Sequence, residues 1–553
     1  MHLSSRSFMQ LLGCALRKSN RSRLVAGLSG FAAVVSLGAS SARAADYIVK
    51  LKDFKGASNV IESVQNQMKS EPVSVQQFDS HAPGSLLGVS IKAGNDIAKE
   101  EALKALLSHP DVAYVVPNIK MHMVGTPNDP SFTQQWALTK INAPQAWDMT
   151  TGSRDVVVAV IDTGVDYTHG DLAANMWTNT REIPGNGIDD DGNGYVDDVR
   201  GWDFFANDND PKDETSAQNP GHGTHCSGII GAVGNNGTGI SGISQQVSIM
   251  PVRFLGADGS GDLLNGIKAI DYAIAAGAQV ISASWGAKST EDEAKPLVEA
   301  VERANQKGVI FVVAAGNDGV NNDSTGFYPA NAPVANVINV AASGNSDGKP
   351  SWSNFGTNKV HVSSPGENIY STLPNNSYGN LSGTSMATPL VAGMVALLKS
   401  QDRNLSGLEA RSILQSTGDQ VAIETACKCR INAPKALQAV RARTLTVIPA
   451  ALTLAPAATQ QFSAYGGRAP YSFTSSNTGV ATISSSGALT AAAIGDTTIT
   501  TTDAQGRTAT SLAIHVSDGT GGGGGGGGGD CPLGDPTLCQ AMCQILPTLP
   551  WCH

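Results

Sequence analysis

The sequence predicts an α/β protein built on a doubly wound parallel sheet, with a ferredoxin-like α+β unit ahead of it and a small β-sandwich behind. Three observations carry this. Apolar, β-branched runs recur between residues 155 and 341 with helical patterns between them, the order of a parallel sheet with crossover helices. Residues 46–122 alternate short strands and helices in a β-α-β-β-α-β order. Beyond about residue 441 the chain becomes Thr/Ser-rich, with short alternations separated by Gly-containing turns. A chain of 553 residues with 41% hydrophobic content and 61 Gly also exceeds what one core can organise.

At the N-terminus, Arg17, Lys18, Arg21 and Arg23 precede an apolar run from Leu24 to Ala39 and then Ala42-Arg43-Ala44. That is the order of a secretory signal peptide, residues 1–44, cleaved after Ala44, so the mature protein is expected outside the cell. The run is short and broken by Gly and Ser, and no later stretch suits a bilayer span. A net charge of −10 argues against nucleic acid or an anionic membrane as partner. Residues 186–214, with ten acidic and two basic side chains, supply −8 of it.

In the α+β unit (residues 45–123), strands are expected at Tyr47–Leu51, Leu86–Ile91 and Val112–Val116, and helices at Ala57–Met68 and Ile97–Leu107. In the central domain (residues 124–441), strands are expected at Asp155–Ile161, Val247–Leu255, Ala278–Ser284, Val309–Ala314 and Val334–Ala341. Helices fall at Leu263–Ala276 and Glu291–Gln306, the second stopped by Gly308. A last apolar helix runs from Leu390 to Leu398, with Pro389 tolerated only in its first turn. The β-sandwich spans 442–517, a Gly-rich linker 518–529 and a Cys-rich tail 530–553. Of eight cysteines, Cys14 leaves with the signal peptide. Cys531, Cys539, Cys543 and Cys552 read as a two-disulfide knot, and Cys226 as a free buried thiol. Cys427 and Cys429 stay open, because bridging so close a pair is strained.

Sites in doubly wound folds gather at the carboxyl ends of strands. Asp162 ends the first strand, in Val160-Ile161-Asp162-Thr163-Gly164, and Asn317 follows another, in Ala314-Ala315-Gly316-Asn317-Asp318-Gly319. Gly221-His222-Gly223-Thr224-His225-Cys226 runs into an apolar helix, as does Gly383-Thr384-Ser385-Met386-Ala387-Thr388-Pro389. A serine at a helix N-terminus meets unpaired N–H groups and the positive end of the dipole. A hydroxyl becomes a useful nucleophile only when a base takes its proton and fixed donors receive the oxyanion.

This Asp, His, Asn, Ser order, each residue in its own motif, resembles the subtilase family (subtilisin-like serine peptidases), and within it the thermitase-like branch. The resemblance implies a subtilisin-like central domain in which Ser385 is the nucleophile, His222 the general base and then acid, and Asp162 the residue that holds the imidazole. Asn317, with the Ser385 backbone N–H, would form the oxyanion hole. Ser284-Trp285-Gly286 resembles the family's S1-lining strand, Gly259-Ser260-Gly261 its substrate-pairing edge strand, and Ala315-Gly316 a further S1 wall. Phe327 occupies the position at the bottom of S1; it either shortens the pocket, favouring small to medium apolar P1 residues, or turns away into the core. Residues 46–122 resemble the inhibitory propeptide, and residues 444–516 resemble bacterial immunoglobulin-like domains. The implied partners are protein or peptide substrates and the chain's own propeptide, acting on a monomer.

The acidic island carries Asp189-x-Asp191-x-Asn193-Gly194-Tyr195-x-Asp197, oxygen ligands at positions 1, 3, 5, 7 and 9 of a calcium loop with Gly at 6. Position 12 is Arg200, so this is no EF-hand, and Asp198 is the substitute carboxylate. Oxygen ligands without thiolates favour Ca²⁺. Asp203, Asp208 and Asp210 resemble a second calcium site of the thermitase-like branch, with Ala206 and Lys212 at two ligand positions. Asp129 and Asp171 with the Asn236 loop imply a third. His222, His225 and Cys226 as a zinc centre fail on spacing, and His169 reads as structural.

Overall fold

The computed structural model describes residues 45–52, 59–60, 62–63, 66, 74–76, 86–91, 103–117 and 126–518. The expected signal peptide, all but the first residue of the Gly-rich linker, and the Cys-rich tail lie outside these residues, as does most of both helices expected before residue 108. Two compact units divide near residue 121. In the first, β1 (Ala45–Leu51), β2 (Ser74–Gln76), β3 (Leu86–Ile91) and β4 (Val112–Pro117) form an antiparallel sheet in the order β2-β3-β1-β4. The sequence reading lacks β2, which is only three residues long. Residues 103–108 are helical, and Val49, Leu51, Val60, Leu106 and Val112 are buried.

The second unit is organised by a nine-stranded sheet. Its strands in chain order are β5 (Gly152–Asp162), β6 (Trp202–Asp203), β7 (Gln246–Arg253), β8 (Val280–Ala283), β9 (Ala287–Lys288), β10 (Ile310–Ala314) and β11 (Phe327–Tyr328). Then follow β12 (Val337–Ser343), β13 (Val362–Pro365), β14 (Ile369–Leu373), β15 (Ser377–Leu381), β16 (Asp419–Gln420) and β17 (Cys429–Arg430). The large sheet runs β16-β17-β13-β12-β10-β8-β5-β7-β6, parallel throughout except for β16 against β17.

Strand alternation feeds two cores. Val158, Val160, Val280, Ile310 and Val312 point into one; Ala159, Ile161, Ile281, Phe311 and Val313, their neighbours in sequence, point into the other. The first core is closed by α1 (His222–Gly231), α4 (Thr384–Gln401), α5 (Gly407–Thr417) and α6 (Ala433–Arg441). The second is closed by α2 (Leu263–Ala275) and α3 (Glu291–Gln306). Helix α3 starts where the Thr290/Glu293 capping box satisfies its first N–H groups, and it buries Ala294, Leu297, Ala300, Val301 and Ala304 at helical spacing. Helices α5 and α6 go unread in the sequence, although Ser406/Glu409 is a capping box too.

Cys427 and Cys429 are bonded to each other with Cα atoms 5.1 Å apart, and Lys428 between them turns to φ 48°. The single intervening residue thus takes up the bend that made the pairing doubtful. Cys226 is free and buried.

Residues 446–516 form short strands around Val447, Phe462, Phe473, Leu489, Ile499 and Ile514. This module is not loosely tethered. Ile448 and Tyr465 are buried in the same core as α4, α5 and α6, Tyr465 Oη donates to Asp402 Oδ2 at 3.1 Å, and Arg443 pairs with the same carboxylate.

Candidate active site

Asp162 ends β5 and is fully buried, and its Oδ1 accepts from the Thr163 N–H at 2.8 Å and from His222 Nδ1 at 2.7 Å. His222 is the first residue of α1, held by Asn219 Oδ1, which accepts the His222 N–H at 2.7 Å. Burial by itself would depress the imidazole's pKa, but the Asp162 carboxylate outweighs it and holds it well above the ordinary value. With the Nδ1 proton given to Asp162, Nε2 is the free basic nitrogen.

Asp213, unread in the sequence, fastens the His and Asp motifs together. Its Oδ1 accepts from Thr163 Oγ1 (2.9 Å), its Oδ2 from the Thr224 N–H (2.9 Å) and Oγ1 (2.7 Å), and the Gly223 N–H donates to Thr163 Oγ1. Burial pushes this carboxyl up to about 6 against the pull of those donors. A Cβ on Gly223 would lie 2.1 Å from the Gly164 carbonyl oxygen, so close an approach needs glycine.

Ser385 is the second residue of α4. The helix starts five residues before Pro389, so the proline sits in its second turn, not its first as the sequence reading requires. The cost of that proline is an unpaired carbonyl four residues back, and that carbonyl belongs to Ser385. It accepts instead from Ser284 Oγ at 2.9 Å and Cys226 Sγ at 3.4 Å. The Ser385 peptide is thereby tied to the residue that follows β8 and to α1. Ser385 Oγ donates to the Ser284 carbonyl at 3.1 Å and lines the same cavity as His222.

Asn317 follows β10. Its Oδ1 accepts from the Thr384 N–H at 2.8 Å and Thr384 Oγ1 at 2.9 Å, which turns the amide NH₂ away from Thr384. A Cβ on Gly383 would lie 3.5 Å from Asn317 Nδ2 and 3.6 Å from Ser385 Cβ, so amide and serine flank one small space.

The cavity, about 260 Å³, brings together His222, Ser385, Asn317, Gly259, Ser284, Trp285, Gly286, Gly316 and Phe327. Ser260, Gly261 and Ala315 do not line it; Leu255, Asn219 and Thr384 do and went unread. Residues 259–261 are not in a strand. Gly256 and Gly259 close a turn there through Gly256 N–H to Ser260 O at 2.8 Å and Gly259 N–H to Gly256 O at 2.9 Å. Phe327, on β11, packs against Gly286 and Gly316: a Cβ on these would fall 2.5 and 3.1 Å from its ring. Its ring therefore lines the cavity while joining the second core.

His225 and His169 are structural. His225 Nε2 meets the Ile369 and Gly379 carbonyl oxygens at 3.0 and 3.1 Å, and burial drives its pKa down to about 3, fixing α1 to the β14–β15 hairpin. His169 Nε2 meets the Ser377 carbonyl at 3.2 Å.

In the acidic island Glu182, Asp189 and Asp191 bring carboxylate oxygens within 4.8 Å of one another. Glu182 was missed, because it precedes the loop by seven residues and is returned to it by the fold. Asn193 is beside this group through its N–H to Asp189 and Asp191; Tyr195 packs its ring on Trp202 and Tyr272. Asp197 is spent on the N–H groups of Gly185, Asn186 and Gly187, and Asp198 on Tyr272, Asn179 and Asn193. Asp203 gives one oxygen to the Phe205 and Ala206 N–H groups and the other to Arg253 at 3.0 Å. Asp208 accepts the Asp210 N–H, and Asp210 accepts from Tyr167. By contrast Asp129 and Asp171 are buried carboxylates joined, among the described residues, to neutral donors: Asn235 and Asn236 N–H for Asp129, and Asn236 Nδ2, Ile240 N–H and Tyr378 Oη for Asp171. Burial raises both pKa values, and the Asp129 charge adds to the rise at Asp171.

A parallel α/β domain that ends one strand on a carboxylate, pairs it with a histidine and sets a serine at a helix start on the same cavity as that histidine has the framework of a serine hydrolase. The Subtilase family profile matches residues 153–438, and the Bacterial Ig-like domain (group 2) profile matches residues 442–514. Thermitase of Thermoactinomyces vulgaris is 41% identical over 316 residues, covering 57% of this chain and 99% of that protein. A thermophilic serine proteinase of Bacillus sp. (strain AK1) is 40% identical over 332 residues, 60% of this chain and 73% of its own. An extracellular protease of Xanthomonas campestris pv. campestris is 38% identical over 326 residues, 54% of each. The chain belongs to the subtilase family. It is a subtilisin-like serine peptidase followed by a bacterial immunoglobulin-like module.

Proposed function

We propose that the protein is a secreted, calcium-stabilised endopeptidase made as a self-processing zymogen, with Ser385, His222 and Asp162 as its triad. The 2.7 Å contact between His222 Nδ1 and Asp162, with Ser385 on the same cavity, carries this reading. Substrate binds with its P1 side chain over Phe327. His222 Nε2 takes the Ser385 hydroxyl proton as Oγ attacks the scissile carbonyl, and the imidazolium so formed is stabilised by Asp162. The Asn317 amide and the Ser385 N–H receive the oxyanion. His222 then protonates the leaving amine, and water repeats the sequence on the acyl-enzyme. Residues 45–123 are the propeptide, consistent with their compact sheet, and the extracellular names borne by relatives support export through residues 1–44.

Glu182, Asp189, Asp191 and Asn193 would hold one calcium ion, and Asp129, Asp171 and Asn236 another. What supports the second is a pair of buried carboxylates without a basic partner among the described residues. The ion would supply the missing positive charge. Asp203, by contrast, pairs with Arg253, which Glu214 shares. Expression of Ser385→Ala tests the zymogen reading: it should accumulate the form still carrying residues 45–123, whereas normal trimming of that variant would refute self-processing.

A further inference from the structure

A cleft of about 380 Å³ lies between the peptidase domain and the immunoglobulin-like module, walled on one side by Lys359, His361 and Arg411 and on the other by Pro449, Thr453 and Gln460. Three basic side chains meet here on a protein whose net charge is −10. None has a carboxylate partner among the described residues. Among the described residues Arg411 donates to the Val337 carbonyl, at 3.1 Å, and otherwise faces the His361 ring, and burial pulls its pKa down to about 10.

The contact between Arg411 and His361 is itself unsatisfied. His361 Nδ1 accepts the Asn339 N–H at 2.9 Å, so the neutral ring carries its proton on Nε2. That same Nε2 faces Arg411 Nη1 at 3.2 Å. Two donors, one of them cationic, therefore point at each other. An acceptor carrying negative charge, seated over both, would take both N–H groups and relieve the guanidinium's lack of a counter-ion. Lys359, whose charge also depresses His361, stands at the same wall. The opposite wall is rigid, because Ile448, next to Pro449, is buried in the peptidase core and the Ala450 N–H donates to Ser412 Oγ on α5.

We propose that this cleft binds an oxyanion, a sulfate, phosphate or carboxylate group, between Arg411, His361 and Lys359, and that the bound group fastens the module to the peptidase domain. The test uses mature full-length protein inactivated with phenylmethanesulfonyl fluoride, titrated calorimetrically with sodium sulfate and separately with sodium acetate at constant ionic strength. A saturable one-site isotherm with Kd below about 10 mM is expected for at least one anion. A preference for sulfate assigns a tetrahedral oxyanion, and a preference for acetate a carboxylate. Arg411→Gln should weaken binding at least tenfold. His361→Asp, which supplies the negative group covalently, should abolish it, raise Tm in anion-free buffer and leave peptide hydrolysis unchanged. If Arg411→Gln does not fold, His361→Asp decides. Absence of saturable binding by either anion, or binding that survives both substitutions, overturns the proposal.

Discussion

The orientation of Asn317 is the part of the site whose energetics can be taken furthest. Asn317→Leu keeps the side-chain volume and deletes the Nδ2 donor, leaving the Ser385 N–H as the remaining donor to the oxyanion. Loss of such a donor lowers kcat on the order of 10²–10³-fold, about 2.7–4 kcal/mol, the size seen in subtilisin. The donor acts on charge that develops in the transition state, so KM should barely move. Thr384 contributes differently. Its N–H and Oγ1 both hold Asn317 Oδ1, and Thr384→Val removes only the second. One net hydrogen bond of about 1 kcal/mol corresponds to roughly a fivefold fall in kcat. The same change strips the Gly316 N–H of its 3.2 Å acceptor, so Tm should drop as well. Because Thr384 acts on the reaction through Asn317, its effect on kcat should vanish in the Asn317→Leu background. The assay is a double-mutant cycle on a peptide anilide. A Thr384→Val penalty of equal size in both backgrounds would refute the reasoning.

Three further outcomes are expected. Since Asp162 holds the His222 pKa well above 6.5, the neutral base exists only above that raised value, so activity should rise with a midpoint above 6.5; Asp162→Asn should move the midpoint down, and an unmoved acid limb would contradict the assignment. Chelation should lower Tm and speed self-digestion, with a smaller Tm shift in Asp171→Asn; for an ion at about a hundred times its Kd the stabilisation lost is about 2.7 kcal/mol, and identical melting in chelator and in calcium would remove the ion from the account. Phe327→Ala should enlarge the cavity and shift P1 preference from small apolar residues towards Phe or Leu, measured by substrate profiling; an unchanged profile would mean that the ring does not bound the pocket.

What was legible in the sequence is what chemistry confines to a few adjacent residues. Asp162, His222, Asn317 and Ser385 each sit in a short, small-residue motif because backbone must approach backbone there, as at Gly223 against Gly164. The buried strands were legible too, since both faces are covered and their apolar runs are unbroken. The supports of the site were not. Asp213 joins two motifs across space, Glu182 reaches the acidic island by a chain return, and Ser284 and Cys226 matter because Pro389 frees one particular carbonyl. Hairpin β14–β15 was missed because its residues are of mixed polarity, with a burial pattern that does not alternate cleanly. Asp203 differs in its surroundings: an acidic residue in a ligand-like run that pairs with Arg253 from β7, a partner no local pattern announces.

The central claim is that Ser385 is an activated nucleophile. Labelling the secreted protein with a fluorophosphonate and mapping the adduct by peptide mass tests it directly. The account predicts one adduct, on Ser385, formed with an acid limb that follows His222 and lost in His222→Ala. Labelling elsewhere, or labelling of Ser385 that persists without His222, would contradict it.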